Sequence, residues 1–270
     1  MQNYSYHAHT HALNKYDGKN TVSEMIAKAE EIGFSELGIT NHLCYHPNIP
    51  LSNPMSYRDL GRAVEDYRQI VEEIRTAARR VKIKIYAGFE VDFFPSARWR
   101  KDFEKIMSAV KADYYIGSSH YMRNSDESEL INPYDVLLHG YPCSSGAIEK
   151  YFPLCWDNVV ESIKSGYFKF IAHPDLYKIF KLGIGPEWDK AKWRIIDALA
   201  EYNQPYELNT SGWNKAGEQH PHTWMLEELG KRNVPVVISD DAHSTAMLGQ
   251  HFERAENLLQ SMNYRTRFRF

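Results

Sequence analysis

Twelve histidines are spread along the 270 residues, and the informative ones stand at the ends of β-rich runs. His7 and His9 close the first such run as Tyr6-His-Ala-His9. Alternation along a strand puts residues i and i+2 on one face, so both imidazoles can address one ion. His42 follows Ile39-Thr40-Asn41, and Glu90 and Asp92 end GFEVD, again two apart. His120 ends IGSSH, His173 stands in FIAHP, and Asp241 and His243 stand in ISDDAH. Nitrogen and carboxylate donors without thiolate suit Zn, Mn or Fe. There are more of them than one tetrahedral ion can use, so two or three divalent ions are expected. Glu90 is the natural bridge, because each carboxylate oxygen can bind a different ion. Ions about 3.5–4 Å apart can clamp the attacking and leaving oxygens of a phosphate, and each acidifies water toward hydroxide near pH 7.

Taken singly, each residue has a plainer reading: a histidine at a strand end is a hydrogen-bonded structural residue, and Asp241 a helix cap. Six strands ending the same way argue for a shared centre. The strands expected from β-rich runs are 5–9, 36–40, 82–89, 113–117, 168–172, 205–208 and 235–239. Amphipathic helical stretches lie between and after them, near 21–33, 56–80, 98–110, 147–165, 187–203, 222–232 and 249–262. Thr21-Val-Ser-Glu24 reads as a capping box and Gly33 as a stop, and Pro186 and Pro221 stand where helices begin. Seven β–α units imply parallel pairing with right-handed crossovers, in a sheet either open and doubly wound or closed into a barrel. No glycine-rich dinucleotide loop follows the first strand, which weakens the open option. In a barrel, the carboxyl ends of the strands are where active sites are built. The segment 121–146 breaks the rhythm and is expected to be a long functional loop with a short helix inserted in a single domain, 1–270.

Composition narrows the class. With 43% apolar residues the chain can bury a large core, and no run of about 18 apolar residues offers a membrane span. Lys plus Arg number 32 against 35 Asp plus Glu, a formal charge of -3, which leaves no electrostatic footprint for nucleic acid. Cys44, Cys143 and Cys155 are scattered and read as reduced thiols. The strand-like YSYHAH close to the N-terminus leaves no room for a signal peptide, so a cytoplasmic protein is expected. The oligomeric state is not encoded in any readable pattern.

The ordered set HxH, TNH, GFEVD, GSSH, IAHP and SDDAH, running from Tyr6 to His243, resembles the polymerase and histidinol phosphatase (PHP) superfamily. The resemblance implies a distorted (β/α)7 TIM-like barrel with a trinuclear metal site at the C-terminal ends of the strands. It assigns His7, His9, Glu90 and Asp241 to one ion and Glu90, His120 and His173 to a second. The third would take His42, His243 and a residue of the loop after the first strand, either Asp17 or His11. Length, GFEVDFFP and GSSHYM are similar to the bacterial histidinol-phosphate phosphatase branch. The stretch MRNSDESELINPYD after His120 departs from it.

The activity so implied is metal-dependent phosphomonoester hydrolysis, L-histidinol phosphate and water giving L-histidinol and phosphate, with metal-bound hydroxide attacking phosphorus in line. Arg123 could fork onto the phosphate, and His11 could donate to phosphate or to the leaving alkoxide. Asp92 could orient a ligand histidine or bind a substrate amine. His46, His139, His220, His222 and His251 have no paired spacing at a strand end, and His220 and His222 are expected in a surface loop. Trp213 faces the rim of the same end. The competing readings are a PHP phosphoesterase acting on nucleotide diesters or sugar phosphates, and a non-catalytic metal-binding barrel.

Overall fold

The elements form where local signals are strongest. In the computed structural model, which describes residues 2–270, the first strand β1 is Tyr4–Ser5 and the first helix α1 is Val22–Glu31. Thr21 Oγ1 accepts from the Glu24 N–H, the Glu24 carboxylate accepts from the Thr21 N–H, and Val22, Met25, Ile26 and Ala29 form the buried stripe. Gly33 ends the turn at a φ of +80°, where a side chain would be strained. There follow β2 (Glu36–Tyr45), β3 (Ser56–Tyr57), α2 (Leu60–Ala78), β4 (Lys84–Asp92), α3 (Ala97–Val110) and β5 (Tyr114–Ser118). A short antiparallel pair, β6 (Met122–Arg123) and β7 (Leu130–Ile131), leads through a wide turn at Tyr134–Leu138 into α4 (Ala147–Ser165). The chain ends with α5 (Asp189–Glu201), β8 (Tyr206–Asn209), α6 (Gly212–Lys215), α7 (Thr223–Lys231), β9 (Val236–Ser239) and α8 (Phe252–Ser261).

The strands curl into a ring. β1, β2, β4 and β5 pair in parallel in that order. The stretch around Ile171 continues the ring by single bridges to Gly117 on one side and Tyr206 on the other, and β8 pairs in parallel with β9. Closure comes from a parallel bridge between Ala8 and Ala242, where the His9 N–H donates to the Ala242 carbonyl at 2.8 Å. This is the closed alternative left open by the seven-unit count. The first strand and the stretch around Ile171 are shorter than expected, because Ala8 and Ile171 bond their neighbours only at isolated bridges. β2 is longer, since its partner β4 runs on to Asp92, and His42 therefore lies within the strand, opposite Glu90. Residues 121–146 form a hairpin followed by one short, wide helical turn at Tyr134–Leu138.

Inside the ring the lower layer is aromatic and the upper layer polar. Tyr6, Tyr114, Ile116, Phe170 and Val237 pack together, and the C-terminal Phe270 ring closes the lower end 4.5 Å from Tyr6 and 4.7 Å from Tyr86. Tyr114 fits across the interior because Gly38 and Gly88 have no Cβ: one added there would lie 2.0 and 2.5 Å from its side chain. The larger core lies between the strands and the helices. Among the described residues no helix is long and apolar enough to cross a membrane.

Candidate metal centre

At the carboxyl ends of the strands the side chains converge on Glu90, which is 1% exposed. Its Oε2 lies 3.4 Å from His7 Nε2, 3.6 Å from His9 Nε2 and 3.0 Å from His42 Nδ1. Its Oε1 lies 2.7 Å from His173 Nε2 and 3.4 Å from His120 Nε2. Asp241 Oδ1 adds contacts of 3.6 Å to His7 Nε2 and 3.2 Å to His9 Nε2, and Asp17 Oδ2 lies 3.4 Å from His42 Nε2 and 3.1 Å from His243 Nε2. The donors fall into groups with ligand atoms within 4.8 Å of one another: His7, His9 and Asp241; His7, Glu90 and His173; His42, Glu90 and His120; His9, Asp17, His42 and His243.

Proximity without alignment shows what this cluster suits. Both Glu90 oxygens, His7 Nε2, both His9 nitrogens and His42 Nδ1 are buried and lack hydrogen-bond partners. Orphaned buried polar atoms are costly, so atoms that point at a common centre and not at one another fit a cation between them. Burial, with the neighbouring His243 and His42, pushes His9 down to about 3, so the ring is neutral and keeps one nitrogen lone pair free for a cation. Burial would raise the Glu90 carboxyl, but the surrounding histidines, His120 foremost, hold it well below the usual range. His173 and Asp241 both sit at positive φ, +21° and +48°, which re-aims their side chains where the strands end. The donor set and its burial fit divalent metal ions.

A second set of groups holds these donors. Asp92 Oδ1 lies 2.9 Å from His120 Nδ1 and accepts from the His120 backbone N–H, which leaves Nε2 toward Glu90. Sequence reasoning missed Glu207. Its Oε2 lies 2.9 Å from His7 Nδ1, and its Oε1 accepts from the His173 N–H and from Asn209 Nδ2, each at 2.8 Å. Glu207 lies within β8, and its signal was alternation along that strand, which puts Glu207 and Asn209 on one face. Lys215 was missed as well: its Nζ lies 3.0 Å from Asp241 Oδ2, and no periodic signal marks a four-residue helix.

The centre opens into a cleft of about 280 Å³, lined by Asp17, His42, Asp92, His120, His173, Lys215, Asp241 and His243 on the metal side. Two expected contributors stand elsewhere. Arg123 on β6 turns toward α4, with Nε donating to Asn158 Oδ1 at 2.6 Å and a terminal nitrogen to the Asn124 carbonyl. His11 is exposed, with Nδ1 3.0 Å from the Tyr16 carbonyl, so of the two loop residues the structure brings Asp17 to the cluster. His220 is not in a surface loop: it is buried, with Nδ1 2.7 Å from Asp175 Oδ1, and His222 is half-buried against Glu218. Trp213 packs its own rim beneath the Arg254 guanidinium.

Comparison with known proteins agrees with this architecture. The probable histidinol-phosphatase of Deinococcus radiodurans is 27% identical over 264 residues, covering 96% of this chain and 94% of that protein. The histidinol-phosphatase of Bacillus subtilis is 24% identical over 268 residues, covering 94% and 98%. The crystal structure of histidinol phosphate phosphatase from Lactococcus lactis, complexed with zinc, L-histidinol and phosphate, shares the fold with a TM-score of 0.68 at 18% identity, over 97% of this chain and 94% of that one. The sequence pattern of the PHP domain matches residues 5–211, from the first strand past Asn209, and the chain belongs to the PHP domain family.

Proposed function

We propose that this protein hydrolyses L-histidinol phosphate to L-histidinol and phosphate, in the cytoplasm, at a centre of two or three divalent ions of Zn, Mn or Fe. The observation that carries the reading is Glu90, with imidazole nitrogens against both its oxygens and aligned hydrogen bonds to neither. His7, His9, Glu90 and Asp241 would hold one ion, Glu90, His120 and His173 a second, and His42, His243 and Asp17 a third. Near-full-length likeness to proteins named histidinol-phosphatase supports the substrate. Ions bound there supply Lewis acidity toward phosphate oxygens and water made nucleophilic at neutral pH.

The protein's own contribution is orientation and charge. Glu207 and Asp92 accept from the outer nitrogens of His7 and His120, fixing the tautomers that turn Nε2 inward. The Lys215 ammonium, held at the cleft by Asp241, is placed to receive a phosphate oxygen. Phosphate release from L-histidinol phosphate, with Zn or Mn supplied, is the test, run beside an aryl phosphate and an aryl phosphodiester. A kcat/KM of about 10⁴ M⁻¹s⁻¹ or more on histidinol phosphate, abolished by chelation, is expected. Preference for the diester, or no hydrolysis with a full metal complement, overturns the reading.

A further inference from the structure

Beyond the metal donors the cleft continues along a wall built from the segment after His120. Asn132, Tyr134, Asp135 and His139 form this wall, facing Asn53 and Met55. It adjoins the metal side directly, since the Tyr134 ring lies 6.4 Å from that of His120. Asn132 Oδ1 accepts from the Tyr134 N–H at 3.0 Å, which sets the turn presenting the next residue, Asp135. Of the carboxylates lining the cleft, Asp17 and Asp241 stand among the metal donors, and Asp92 is engaged by His120 and Cys44. Asp135 belongs to neither arrangement. Its Oδ2 accepts from Ser52 Oγ at 2.6 Å, and among the described residues no Lys, Arg or His nitrogen pairs with it.

A half-buried carboxylate with a free oxygen, facing the mouth of a phosphate site, is suited to a cation on the same small molecule. We propose that Asp135 is the specificity-determining residue: it receives the cationic end, ammonium or protonated imidazole, of the ester whose phosphate sits on the metal side. The inference rests on the histidinol phosphate reading and adds the residue that selects the alcohol. It also gives the segment after His120 a role in choosing the substrate.

The test is steady-state kinetics of the metal-loaded full-length protein on three esters. L-histidinol phosphate carries both cationic groups, O-phosphoethanolamine the ammonium alone, and p-nitrophenyl phosphate neither. Asp135→Asn is expected to reduce the kcat/KM ratio of histidinol phosphate over p-nitrophenyl phosphate by about tenfold to a hundredfold, the range of one charged hydrogen bond, chiefly through KM. Asp135→Glu, which keeps the charge, retains most of the preference. A parallel loss on phosphoethanolamine identifies the ammonium as the partner, and its absence identifies the imidazole. Ser52→Ala removes the hydroxyl that holds Asp135 and is expected to shift the ratio in the same direction by a smaller factor, which keeps the test available if Asp135→Asn folds poorly. An unchanged ratio, or an equal loss on all three esters, overturns the inference alone. A wild-type protein with no preference for histidinol phosphate over the aryl ester overturns the substrate reading beneath it.

Discussion

Replacing Glu207 by glutamine separates orientation of His7, the proposed metal ligand, from simple packing. The carboxylate is fully buried, and its Oε1 accepts two donors, the His173 N–H and Asn209 Nδ2, each at 2.8 Å. A glutamine of the same shape keeps both bonds only if its amide oxygen takes that position. Its NH₂ then faces His7 Nδ1, which in the native protein lies 2.9 Å from Oε2 and donates to it. Two donors would meet, so His7 must move its proton to Nε2, the nitrogen aimed at Glu90 and Asp241. A protonated Nε2 offers no lone pair. The alternative, flipping the amide, turns NH₂ against the two donors at Oε1. Either route costs about 1–3 kcal/mol, and loss of such a partner lowers metal affinity about 10- to 100-fold. Competition with a chromophoric chelator measures that affinity, and circular dichroism of the metal-free variant checks that the fold persists. Native affinity and stoichiometry in a folded Glu207→Gln protein would refute the assignment of His7 as a ligand through Nε2.

Lys215→Met is expected to lower kcat/KM on phosphate esters by about 10²–10³, the cost of one lost charge-stabilising donor, with metal content unchanged by elemental analysis. Arg123→Gln should leave KM unchanged and instead lower stability by about 1–3 kcal/mol, because the guanidinium is spent on Asn158 and the Asn124 carbonyl; thermal unfolding beside kinetics decides this. Burial alone would raise the Glu218 carboxyl, but bonds from His222, Thr223 Oγ1 and the Thr223 N–H outweigh it and hold the group at about 2 against an ordinary 4.5. A depressed carboxylate stabilises the fold fully above pH 4.5 and loses that contribution as pH falls toward 2. Glu218→Gln should therefore cost about 1 kcal/mol near neutrality, as for a lost helix cap, and the difference from the native protein should close at acid pH in a urea-unfolding series.

Much of the site was legible from local pattern. His7 and His9, and Glu90 and Asp92, were picked out because alternation along a strand is a property of neighbouring residues, and Asp241 and His243 because they directly follow a β-rich run. The seven units were found because the periodicity of β-rich and amphipathic runs is set within a few residues, as is the Thr21–Glu24 cap. Local pattern left the ring's closure undecided: the bridge from Ala8 to Ala242 joins residues at opposite ends of the chain. It also could not aim side chains across the barrel. Arg123 stands three residues past His120 yet turns to α4, and His220 reads as surface yet is buried against Asp175. The sequence by itself determined which residue types reach the carboxyl ends of the strands, because periodicity and capping are short-range. Only the tertiary structure decided which of them meet. Glu207 touches His7 from 200 positions away, and contacts at that separation exist only once the ring has closed.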